Sequence, residues 1–119
     1  ILNRVRQPFN CNSFALAGAQ AALADHDFLS ASVALNNQQC AVLEAFFEEQ
    51  GITYIPSKGN FITIELADDP AAAYQALLHK GVIVRPVAGY GLTKHLRVSI
   101  GTERENVVFM QALMSVLEK

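Results

Sequence analysis

Gly81-Val82-Ile83-Val84-Arg85-Pro86-Val87-Ala88-Gly89-Tyr90-Gly91-Leu92-Thr93-Lys94-His95-Leu96-Arg97-Val98-Ser99-Ile100-Gly101-Thr102-Glu103-Arg104-Glu105 holds two strand patterns, the turn between them and the start of a helix. Val82 to Arg85, a β-branched run ending in arginine, is closed by Pro86, as expected for a short strand. Two glycines surround Tyr90 in the loop that follows. From His95 to Ile100 the residues alternate: Leu96, Val98 and Ile100 face one way, and His95, Arg97 and Ser99 the other. After Gly101, Thr102 and Glu105 have the spacing of a capping box, in which each residue binds the other's backbone amide.

The flanking sequence repeats these signals. Upstream, Phe61 to Leu66 alternates with Ile62, Ile64 and Leu66 on one face, and Ile52 to Ile55 reads as a strand stopped by Pro56. Between the strand pairs, Asp69 caps a helix with Pro70 at its first position; Tyr74, Leu77 and Leu78 form its inner face and Gly81 ends it. Earlier still, Leu29, Val33, Asn36, Cys40, Leu43 and Phe47 form a helical stripe that ends at Gly51. Asn12 or Ser13 caps a preceding helix rich in small residues, for which packing on more than one side is expected. The last helix is predicted to run to about Glu118, with Phe109, Leu113, Val116 and Leu117 inside. This order predicts an α+β fold: a small, mostly antiparallel sheet covered on one face by helices. Residues 1–12 read as an extended lead-in and 13–119 as one domain.

The chain has 119 residues, 51% of them hydrophobic and 17% charged, with a net charge of −2. Such a composition belongs to globular chains, and its apolar excess is consistent with a covered surface or simply with alanine content. No basic stripe interleaved with aromatics is present, so nucleic acid is not an expected partner. The apolar runs are too short for a membrane span. Beginning at Ile1 without an initiator Met or signal stretch, the chain reads as a fragment of a longer protein. Cys11 and Cys40 have no disulfide or metal spacing and are expected to be buried free thiols, which fits a reducing cytoplasm.

Chemistry-bearing motifs are few: no phosphate loop, metal-binding cluster or nucleophile elbow is found. The histidines are scattered and read as surface or edge residues. Lys58 lies in a turn, whereas a Schiff-base lysine needs a desolvated pocket. Two arginines stand out. Arg97 lies mid-strand and is either an anion clamp or an arginine on the solvated side of a half-covered sheet. Arg85 ends the preceding strand. Because these consecutive strands are able to pair, the two arginines are candidates for one shared anion site.

Residues 81–91, His95 to Thr102 and Glu105-Asn106, together with Arg4 to Asn12 and Pro56 to Phe61, resemble the C-terminal part of histidinol-phosphate aminotransferases. The resemblance implies a fold-type I, aspartate-aminotransferase-like small domain. It implies amino transfer between L-histidinol phosphate and 2-oxoglutarate in histidine biosynthesis. Arg97 then binds the substrate's phosphate or carboxylate, with Arg85 beside it and Tyr90 at the site mouth. The resemblance also implies pyridoxal 5'-phosphate in the full-length enzyme, held by a large domain, and a cytoplasmic homodimer. None of Lys58, Lys80, Lys94 or Lys119 matches the family's cofactor-lysine block, so this piece alone is expected to carry no catalytic residue, bind no cofactor and be inactive. The competing readings are a paralogue acting on aromatic amino acids, a threonine-phosphate decarboxylase of the same fold, and a non-catalytic anion-binding module.

Overall fold

The computed structural model describes residue 4 and residues 9–117. The lead-in read for residues 1–12, the backbone preference of Gln7 before Pro8, and the helix end at Glu118 lie wholly or partly outside these. The chain forms two compact units, residues 1–34 and 35–119.

In the first unit, α1 spans Ser13–Ala24 and α2 begins at His26. Asn12 Oδ1 accepts the Ala15 amide at 2.8 Å and Asp25 Oδ1 accepts that of Phe28 at 3.0 Å, so a short polar side chain satisfies one orphan amide at each helix start. Every residue of α1 is exposed, with Phe14 at 87% and Leu23 at 70%.

In the second unit, α2 continues to Glu49 and is followed by β1 (Tyr54–Ile55), β2 (Phe61–Glu65), α3 (Pro70–His79), β3 (Arg85–Pro86), a 3-10 turn at Ala88–Tyr90, β4 (His95–Ser99) and α4 (Glu103–Leu117). The strands form one antiparallel sheet in the order β1-β2-β4-β3. Ile62, Ile64, Leu96 and Val98 share one face and build the core with Leu43 and Phe47 of α2, Ala73 and Leu77 of α3, and Phe109, Ala112 and Leu113 of α4. The sheet is thus covered on one face by helices, as the alternation predicted. The two helix ends that feed strands use one device. At Gly81 (φ 77°) the Val82 amide bonds Leu77 O and the Gly81 amide bonds Leu78 O. At Gly51 (φ 64°) the same pair runs from Ile52 to Phe47 and from Gly51 to Glu48. Both are Schellman closures, whose left-handed residue favours glycine.

Several expectations change. Leu78 and Leu117, expected on inner helix faces, are exposed, and the strand expected at Ile52–Ile55 forms only over Tyr54–Ile55. The strand predicted for Val82–Arg85 pairs only over Arg85–Pro86, because the helix closure takes the Val82 amide; Val82 and Val84 are buried all the same. Pro86, read as ending that strand, lies within it and is tolerated because β3 is an edge strand. The buried-thiol reading fails at Cys11, which is exposed in the segment before α1, while Cys40 is half-buried. Burial pushes the Cys40 thiol above its ordinary pKa, and the Glu44 carboxylate adds to this.

The capping box forms as predicted. The Thr102 amide donates to Glu105 Oε2 at 2.8 Å, and the Glu105 amide donates to Thr102 Oγ1 at 3.4 Å. Backbone and then side-chain hydrogen bonds from Thr102 hold the Glu105 carboxyl below its ordinary pKa. A carboxyl whose folded pKa is depressed stabilises the fold above its unfolded pKa and loses that contribution as pH falls through the folded value. The Glu105→Gln variant is therefore expected to melt below the parent at pH 7, and the gap to close as pH falls below about 4. Thermal melts of both proteins across pH check this.

Candidate anion site

The face of the sheet opposite the core carries Phe61, Thr63, His95 and Arg97. Register brings Arg85 to the same place. Thr63 is the cross-strand partner of Arg97, and Arg97 is the partner of Arg85. Directly opposed residues of an antiparallel pair share a face. The two arginines suggested by the sequence are therefore brought together as immediate neighbours on β3 and β4.

This is an unusual pairing, because like charges directly opposite one another destabilise a sheet. Arg85 is exposed and able to shed part of that repulsion into water, whereas Arg97 is half-buried. The Arg97 guanidinium carbon lies 4.8 Å from the centroid of the Phe61 ring, within cation–π range. Its Nε is buried without a hydrogen-bond partner. Two residues earlier, His95 Nδ1 is in the same condition. Buried polar atoms are normally paired, so unpartnered nitrogen at both positions marks polar capacity on this face that the chain's own hydrogen bonds do not use. The planar fork of an arginine matches a carboxylate or phosphate.

The other sequence candidates lie apart from this chemistry. Lys58, Lys80 and Lys94 are exposed. Tyr90, in the 3-10 turn, is exposed as well. His26 and His79 are exposed, as read, but His95 is half-buried and its ring nitrogen is inaccessible. Phe61 and Thr63 were not singled out as site residues. Their alternation placed them on the polar face of β2, but only the register with β4 sets them against Arg97. Among the described residues, no cluster of three or more His, Cys, Asp or Glu is able to hold a metal ion, and no helix is long and apolar enough to cross a membrane.

A sheet of this order with helices on one face recurs in solved aminotransferases. The profile of the aminotransferase class I and II family matches residues 1–113, and the chain belongs to that family. It is 61% identical over 117 residues to histidinol-phosphate aminotransferase 2 of Pseudomonas aeruginosa, covering 98% of this chain and 32% of that protein. It is 58% identical over 118 residues to histidinol-phosphate aminotransferase 2 of Pasteurella multocida, again covering 98% of the chain and 32% of the relative. The chain spans about a third of the length of these curated relatives. The fold is shared with the solved histidinol-phosphate aminotransferase of Sinorhizobium meliloti, determined with pyridoxal-5'-phosphate, at a TM-score of 0.79 and 24% identity over 98% of this chain and 33% of that one.

The like-charge row makes a testable demand. In phosphate-free buffer of low ionic strength, Arg85→Ala is expected to stabilise the protein slightly, by roughly 0.2–1 kcal/mol. Added inorganic phosphate is expected to raise the melting temperature of the parent and to have little effect on the variant, since only a ligand that binds the folded state stabilises it. Thermal melts with and without phosphate measure both.

Proposed function

We propose that residues 13–119 are the substrate-binding small domain of an aminotransferase that moves an amino group between L-histidinol phosphate and 2-oxoglutarate, with residues 1–12 leading in from a larger cofactor-binding domain. Arg97, with Arg85 beside it, grips the phosphate of one substrate and a carboxylate of the other. The observation that carries this reading is the direct cross-strand opposition of Arg85 and Arg97. Such an opposition is unfavourable unless an anion lies between the two charges. The high identity to two proteins named histidinol-phosphate aminotransferase supports the choice of histidinol phosphate.

The residues described here do not fit the covalent site of pyridoxal phosphate. An internal aldimine needs a lysine in a desolvated pocket, and Lys58, Lys80 and Lys94 all lie in solvent. The cofactor therefore belongs to the rest of the enzyme in this reading, and this chain orients the substrate. Fixing the substrate's anion at Arg97 holds its amine in a single direction, which is the contribution of positioning to catalysis. The exposed apolar residues of α1 suit a surface covered by the large domain or by a second subunit of a cytoplasmic homodimer.

Steady-state assays of the full-length protein with histidinol phosphate and with aromatic amino acids, side by side, test the reading. The expected outcome is a preference for histidinol phosphate. In that protein Arg97→Ala is expected to lower kcat/KM for it by about 2–4 kcal/mol, roughly 30- to 700-fold. A preference for aromatic donors, or an unchanged kcat/KM in the variant, overturns it.

A further inference from the structure

Arg97 has a task that its own strand does not complete. Its Nε makes no hydrogen bond, and the contact that aims its guanidinium is the Phe61 ring. The direction of the charge therefore depends on where the start of β2 sits against the end of β4. That end of the ladder closes with the Ile100 amide on Asn60 O at 2.8 Å, and the next pair inward is Phe61 with Ser99.

Both flanks of the closing rung are tied to α2. On the β2 side, Asn36 Nδ2 donates to Gly59 O at 3.2 Å. On the β4 side, Asn106 grips Gly101 twice: its Oδ1 accepts the Gly101 amide at 3.1 Å and its Nδ2 donates to Gly101 O at 3.2 Å. The same Nδ2 donates to Gln39 Oε1 at 2.9 Å. Gln39 is 3% exposed and Asn106 2%. A well-packed apolar pair in their place would cost the fold little, since replacing both partners of a buried hydrogen bond is often near neutral. What a buried amide pair adds is direction, because its bonds tolerate only a narrow range of geometry.

We propose that Asn36, Gln39 and Asn106 are positioning residues for the anion site. Asn36 of α2 fixes Gly59, and Gln39 of α2 acting through Asn106 of α4 fixes Gly101; these are the ends of the β2–β4 ladder, and the three residues so hold Phe61 under the Arg97 guanidinium. They touch no substrate. The inference rests on Arg97 holding the substrate's anion, as proposed above.

The test uses the full-length protein and four substitutions read against Arg97→Ala. Asn36→Ala, Asn106→Leu and Phe61→Leu are each expected to raise KM for histidinol phosphate about ten-fold with kcat changed less than two-fold. That split marks lost binding of an anion held equally in ground and transition states. Phe61→Tyr keeps an aromatic face for the cation and is expected to restore the parental KM. Inorganic phosphate, titrated by calorimetry, is expected to bind the first three variants about ten-fold more weakly than the parent. If Arg97→Ala leaves KM and phosphate binding unchanged, the anion-site reading itself fails. If Arg97→Ala raises KM while the three variants lower the melting temperature without moving KM or phosphate affinity, the positioning role fails and the network is structural only. Asn36 is half-buried and makes a single bond, so Asn36→Ala decides the matter even if Asn106→Leu does not fold.

Discussion

Pairing of β2 with β4 assigns each side chain of the central strands to one of two incompatible environments. Side chains alternate with period two, so a slip of one residue would move every one of them to the other face. In the observed register Ile62, Ile64, Leu96 and Val98 enter the core and Arg97 stays out of it. A slipped β4 would expose two fully apolar side chains and drive an unpaired guanidinium against Phe47 and Leu113. Each fully buried aliphatic side chain is worth about 1.5–3 kcal/mol, and burying an unpaired charge costs several more. The same register that makes the core thus excludes Arg97 from it, and the placement of Arg97 opposite Arg85 follows from core formation.

The edge strand β3 is short for a reason that also explains its composition. The Schellman closure after α3 uses the Val82 amide, and Val82, Val84 and Val87 bury themselves without forming a ladder. What remains to pair is Arg85 with Arg97 and Pro86 with Leu96. Proline donates no hydrogen bond, so this contact adds little to the sheet. Its effect is to deliver Arg85 to the partner position of Arg97. A chain that needed only a sheet edge would gain more from a longer strand and an uncharged residue there.

Much of the fold was legible because its signals are local. The caps at Asn12, Asp69 and Thr102 are bonds between residues two or three apart, and the alternation of β2 and β4 is read from single strands. Arg97 itself was ambiguous: the residues alone favoured a solvated arginine over an anion clamp, and the family resemblance reversed that expectation. Its opposition to Arg85 needed the sheet order. Gln39 and Asn106 were not foreseen as buried, because each reads as polar and their partnership spans 67 positions. The α2 stripe was read correctly at Leu43 and Phe47, yet Leu29 and Val33 on the same stripe are about half exposed. Periodicity identifies which side of a helix is apolar; what covers that side is not a property of the helix.

That distinction bears most heavily on residues 13–34. A surface helix of a globular protein ordinarily shows one apolar stripe, and a helix apolar on all sides belongs in an interior. Phe14, Leu16, Leu23 and Phe28 each expose more than half of their surface. At about 1.5–3 kcal/mol for each large apolar side chain that could be buried, these four alone leave a deficit comparable to the whole stability of a small domain. Selection against aggregation removes such a patch unless it is used. The apolar excess seen in the overall composition is therefore concentrated where this chain gives it no cover. The exposed apolar side chains are concentrated in residues 13–34, while the helix-backed sheet of residues 35–117 completes a core of its own.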